Sequence, residues 1–148
     1  MPKSLASPQI RNEMLDRLDR LSPDAKPRWG KMSPTQMLAH LADWMAMAEG
    51  SLAVAPIRMI VRYPPLKQLA IYLLPFPRNV MTAPELRTRK PRDWSIEMEL
   101  VRQRLEGFDA IAHRVDWPHH PAFGRMTRRA WCVFAYRHMD HHFRQFGI

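Results

Sequence analysis

Apolar residues recur along most of this chain at three- and four-residue steps, the period of helices that each bury one side. Ile10, Met14, Leu18 and Leu21 form the first such stripe, introduced by Ser7-Pro8 as an N-cap with proline at the first helical position. Ser33-Pro34-Thr35-Gln36 is the clearest start signal, combining a cap, Pro at N1 and a glutamine placed for a capping box. The helix it opens carries Met37, Trp44 and Met47 on one side and meets a natural stop at Gly50. Asp93 and Thr127 are placed to cap two more, the first striped by Trp94, Met98, Val101, Leu105, Phe108 and Ala112. The pattern predicts helices near residues 8–21, 34–49, 93–113 and 127–145, no sheet, and an all-α four-helix bundle in a single domain over residues 1–148.

The bulk-apolar stretch Leu52–Phe76 interrupts this scheme. Pro56, Pro64, Pro65 and Pro75 break it and Arg58, Arg62 and Lys67 charge it, so no run approaches the roughly 20 residues a spanning helix needs. Two short helices are expected instead, near Ile57–Tyr63 and Leu66–Leu74, in the connection between the second and third long helices. They would cover one end of the core or form a homodimer contact, and alternating basic and apolar residues also admit a membrane-surface role. No signal-peptide core begins the chain, and the lone Cys132 forms no internal disulfide; both point to the cytoplasm.

The chemistry concentrates in the last predicted helix. His138 and His142, four residues apart, leave one face about 40° from each other, the same face as Trp131 and Phe134. Inward imidazoles need partners, and a divalent cation on neutral ring nitrogens supplies them. Periodicity alone leaves His141, about 60° to the other side of His138, nearly as inward, and histidines near a helix C-terminus also complement its dipole. Cys132 falls about 120° from His138 and is read as a small packed residue, whereas Tyr136 and Asp140 point away. On the second helix His40 lies in the middle of the apolar arc, flanked by Gln36 and Asp43. A lone inward histidine is more often a satisfied core residue; the inward pair elsewhere changes the balance. Asp43, one turn after His40, is the candidate catalytic carboxylate, able to orient an imidazole or act as a base, with an ordinary surface role as the alternative.

With Lys+Arg 23 against Asp+Glu 14, the chain carries a formal net charge of +9. Such an excess admits nucleic acid, an acidic membrane surface or an anionic small molecule. The basic residues are scattered and no nucleic-acid motif accompanies them, so nucleic acid is not predicted.

A histidine midway along the second helix and the run His138-x-x-His141-His142-x-x-Gln145 resemble the DinB-like superfamily of small metal-binding four-helix bundles. The likeness covers most of the chain and is strongest to a branch with the C-terminal pattern HPxFGxMTxxxWxxxxYRHxDHHxRQFG. It implies His40, His138 and His142 as metal ligands and His141 as a non-ligand. Phe143-Arg144-Gln145 stands where better-known members have Arg-Gly-Gln, which leaves the ligands in place but not the transfer of an activity. Characterised relatives include thiol-dependent transferases and an isomerase, so the resemblance implies a metal-activated low-molecular-weight thiol such as glutathione, or else a hydrolytic water. Imidazole sites accept Zn or Ni first and Fe, Co or Cu as well. The expected function is a metal-dependent transferase or hydrolase on a small, anionic substrate. The alternatives are a non-catalytic metal-binding or membrane-peripheral protein and a basic nucleic-acid-binding module.

Overall fold

Side-chain oxygens answer the free N–H groups that start three of the long helices, as the sequence pattern requires. Ser7 accepts from Ile10 N, Thr127 Oγ1 from Ala130 N at 3.1 Å, and Ser33 and Gln36 cap each other at 3.1 and 2.8 Å. The computed structural model describes residues 1–80, 83–86 and 89–148. Its helices are α1 (Pro8–Leu18), α2 (Pro34–Glu49), α3 (Leu66–Tyr72), α4 (Trp94–Glu106), α5 (Phe108–Ala112) and α6 (Arg128–Gln145), with 3-10 turns at Ile60–Arg62 and Pro84–Leu86. Among the described residues there is no strand, only an isolated bridge between His120 and Gly124. The all-α expectation holds.

Helix α2 packs on both α4 and α6, and α1 packs on the same two helices. Their shared interior is built on Trp131, Phe108, Phe143, Met14, Leu18 and Leu41, all fully buried. The one-sided stripe expected of α2 understates its environment. Between Met37 and Ala48 every residue except Asp43 is buried: beyond the packing of α4 and α6, Leu86 O lies against His40 and Arg89 donates to Ala39 O. That depth is what places His40 in the interior.

Several expectations are corrected in detail. Helix α1 stops at Leu18, and Leu21 stays buried through a turn in which its N–H bonds to Leu18 O. The helix expected over 93–113 breaks at Gly107, whose ψ of −4° departs from the helical value and whose missing side chain makes it a weak helix former. Asp93 holds the extended N-cap conformation but its side chain makes no cap bond; Glu97 reaches back instead and accepts from Arg92 N at 2.9 Å. The helix expected at Ile57–Tyr63 is only the 3-10 turn, since Tyr63 precedes Pro64-Pro65 and is driven to extended backbone at ψ 143°.

Helix α3 lies against α6 and against the Ile60–Arg62 turn, so much of Leu52–Phe76 covers one end of the interior. Ile60, Tyr63, Leu73 and Leu74 remain exposed on it. Among the described residues no helix is long and apolar enough to cross a membrane.

Ser33→Ala should lower stability by about 1 kcal/mol, read from chemical denaturation, because the hydroxyl that accepts from Gln36 N is lost while the backbone N–H at position 33 keeps its bond to Gln36 Oε1. No change in the midpoint would mean that tertiary packing alone holds this end of the helix.

Candidate metal centre

Helix period and burial bring His40 of α2 against His138 and His142 of α6. One ring nitrogen from each of the three lies within 4.8 Å of the others, and all three side chains are buried. Ring centroids are 4.8–5.1 Å apart. His40 Nε2 and His138 Nε2 approach to 3.1 Å. Two nitrogens on one cation at bonds of about 2.0–2.1 Å stand about 2.9–3.4 Å apart, so this pair already has the spacing of co-ligands.

The protonation of two rings is fixed from behind. His40 Nδ1 lies 3.3 Å from Leu86 O, a pure acceptor, so that nitrogen carries the proton and Nε2 presents a lone pair. His142 Nδ1 lies 2.9 Å from Gln145 Oε1, while Gln145 Nε2 donates to Trp29 O at 2.9 Å. The Trp29 carbonyl therefore fixes which way the Gln145 amide points. Gln145 in turn fixes His142 with its proton on Nδ1 and its Nε2 free. Gly30, at φ +75°, makes room for this relay, since a Cβ there would come within 3.1 Å of Gln145 Nε2. Two lone pairs thus converge with His138, which holds a single proton and can satisfy only one of them. His138 Nδ1 is itself buried without a partner among the described residues. A cation accepts all three nitrogens at once, which is the chemistry this donor set fits.

Burial is the first cause that depresses every ring in the cluster. It lowers His40, holds His138 well below the usual histidine range with help from His142 and His40, and brings His142 down to about 3. All three are neutral near neutral pH, the form that ligates. His141 lies outside the cluster, its ring against Trp29, Phe76 and the edge of His142. Cys132 is buried and its thiol is pushed up to about 11 by desolvation, an inert packed residue as its helix position implies.

The cluster sits in the wall of a cavity of about 750 Å³ whose other walls are mostly apolar, including Trp29, Trp44, Met47, Phe76 and Phe134. Among the described residues Lys31 is the only lysine or arginine lining it, and Lys31 is exposed. The anionic partner expected from net charge has no cationic wall to meet here.

Asp43 makes its hydrogen bonds with Arg89 rather than with an imidazole, although its charge acts on His40. Its carboxylate takes Arg89 Nε at 3.0 Å on both oxygens, and the same guanidinium binds the fully buried Glu97 at 2.9 Å and donates to Ala39 O. Arg89 is held charged, raised chiefly by Glu97, and Glu97 is held ionised by Arg89. This network ties the segment carrying Leu86 to α2 and α4. Sequence reading missed it because Asp43, Arg89 and Glu97 share no periodic face. It also missed His120, a fourth buried imidazole lining the cavity, which lies in a loop where no period operates.

Over residues 2–147 the chain matches the family described as "Protein of unknown function (DUF1569)". An all-helical chain with a buried three-histidine cluster, it belongs to the DUF1569 family. No curated protein and no solved structure matches it.

Two outcomes follow from these environments. In the metal-free protein the buried histidines have folded-state pKa values below the roughly 6.5 of the unfolded chain, so their contribution is complete above that pH. It is lost as pH falls, because the unfolded chain takes up protons that the folded rings refuse until about pH 3 at His142 and His120. Each ring then costs about 1.4 kcal/mol per pH unit. Denaturation midpoints with chelator present should fall steadily from pH 6.5 to 5, above the carboxylate range; a flat profile would mean that the rings are hydrated. Arg89→Met should cost about 3 kcal/mol by leaving the Glu97 carboxylate buried and unpaired, and Arg89→Met combined with Glu97→Leu should recover much of that loss on denaturant titration.

Proposed function

We propose that this protein is a DinB-like four-helix-bundle metalloenzyme, with α1, α2, α4 and α6 as the bundle and His40, His138 and His142 as ligands to one divalent transition metal. The observation that carries this reading is the convergence of three buried, neutral imidazoles from two helices at the wall of a ligand-sized cavity. Structural zinc sites close with four protein ligands, whereas three histidines beside a cavity leave positions open for water or substrate, as catalytic sites do. Bound there, the metal supplies Lewis-acid activation of a water or thiol. Zinc or nickel suits the donor set best, with iron, cobalt and copper also accommodated.

The chain's own residues do the rest of the work. Leu86 O and Gln145 Oε1 hold two ligand rings with their lone pairs inward. Trp44, Phe76 and Phe134 pack on His138 and fix the position of its ring. Asp43 acts through Arg89 as a positioning group for the covering segment rather than as a base. The reaction class is a thiol-dependent transfer or a hydrolysis on a small molecule, and the mostly apolar cavity favours a less anionic substrate than the net charge implies.

The ligand set is tested by metal content and melting temperature of protein purified without a histidine tag or nickel column. His40→Ala, His138→Ala and His142→Ala should each weaken binding more than about a hundredfold and abolish the metal-induced rise in melting temperature. His141→Ala should retain the metal. Because His141 and His142 are adjacent and chemically identical, loss in the His141 variant with retention in the His142 variant would overturn the ligand assignment.

A further inference from the structure

The loop joining α5 to α6 brings to the cavity a fourth buried imidazole that the metal reading does not use. His120 is 8% exposed and lies against Phe123, Trp131 and Phe134. Its ring lines the same cavity as His40, His138 and His142. Phe134 connects the two places, packing edge-on to His120 at 5.3 Å and stacked with His138 at 6.3 Å.

The backbone around His120 decides where its proton sits. His120 and Gly124 exchange both of their backbone hydrogen bonds at 2.8 Å, closing a tight turn. Inside that turn the N–H groups of Ala122 and Phe123 donate to His120 Nδ1 at 3.1 and 3.3 Å. A nitrogen that accepts two N–H groups cannot carry a proton, so the neutral ring holds its proton on Nε2. Nε2 has no partner among the described residues. The turn is fixed in its own right, because Arg62 donates to Pro121 O at 2.8 Å and lies over Gly124, where a Cβ would come within 2.7 Å of its Nη1.

Burial, with Arg62 and Lys67 nearby, brings His120 down to about 3, so it is neutral across the physiological range. A neutral donor in an apolar wall does not repay the desolvation of an anion; it suits a neutral acceptor oxygen.

We propose that His120 is the fixed hydrogen-bond donor of the cavity, its Nε2–H binding a carbonyl-type oxygen on a small molecule whose other end ligates the metal. The substrate class is then compact and mainly apolar, with a metal-ligating head and a neutral acceptor set apart from it. This deepens the proposed function and rests on it.

The test compares two thiols, 6-mercaptohexan-2-one and its hydrocarbon isostere 5-methylhexane-1-thiol, on the cobalt(II)-loaded full chain, with binding read from cobalt d–d absorption. The ketone-to-isostere affinity ratio should be about two- to tenfold greater in wild type than in His120→Phe, the size of one hydrogen bond. His120→Gln, which can accept the two turn N–H groups and still offer a donor, should recover part of that ratio. Equal ratios in wild type and His120→Phe overturn the proposal. Histidine nitrogen NMR of the metal-free wild type gives a readout that needs neither a variant nor a metal: His120 should be protonated on Nε2 at pH 7, and a proton on Nδ1 overturns the assignment. Absence of cobalt absorption would sink the metal reading alone. Binding of the ketone to the metal-free chain, followed at the His120 Nε2 resonance, then decides the proposal, and a resonance that the ketone does not move overturns it.

Discussion

Three imidazoles cannot stay in an apolar interior beside Trp44, Phe76 and Phe134 unless their ring nitrogens are answered, and much of this fold is arranged to answer them from behind. Leu86 O takes one ring proton and Gln145 Oε1 another, so two lone pairs are forced inward toward His138. The cost of that convergence is Coulombic and grows with burial. It is relieved by a cation in a way that no rearrangement of three protons on three rings matches. The fit of this cluster to a cation therefore follows from the second ring of contacts as much as from the histidines themselves.

Those second contacts come from segments with no period of their own. Leu86 sits in a short 3-10 turn, and Arg89, soon after it in the sequence, joins Asp43 of α2 to Glu97 of α4. Gln145 is set by the carbonyl of Trp29, and Arg28 N donates to Gln145 O at 2.7 Å, so the end of α6 is bound to the α1–α2 connection on both its backbone and its side chain. Residues of two irregular connections thus bond to the two helices that carry the clustered histidines.

This division explains what could be read in the sequence. Helix starts at Ser7, Ser33 and Thr127 were legible because a cap is a local contract between a side chain and an N–H three residues on. The inward aspect of His138 and His40 was legible because burial imposes its period on a helix. The choice of His142 over His141 was not legible from periodicity and came only from the family resemblance: both lie near the inward face, and what separates them is Gln145 bonded to His142 while Trp29 and Phe76 pack on His141. Asp43 looked like an orienting carboxylate because it is one turn from His40, but sequence does not reveal that Arg89 reaches it across 46 residues. His120 was invisible for the same reason, its orientation being set by the turn through Gly124 rather than by a helix face.

The positive charge of the chain is not concentrated at the cavity, and one physical reason lies in what the arginines do. Arg114 donates to Glu49 O and Ala48 O at the end of α2, and Arg137 donates to Ala70 O, Ile71 O and Leu74 O at the end of α3, supplying the partners that terminal helix carbonyls lack. Arg11 donates to Leu5 O and pairs with Asp109, and Arg17 joins Asp140 to the carbonyl of Ile148. A guanidinium bound to backbone carbonyls keeps its formal charge but is spent as a donor, so counting it toward an anionic partner counts a structural bond as a free surface. Part of the excess positive charge is therefore committed to closing helix ends and joining elements. The cavity is instead lined mostly by aromatic and aliphatic side chains, with Lys31 the one lysine or arginine among its described lining residues.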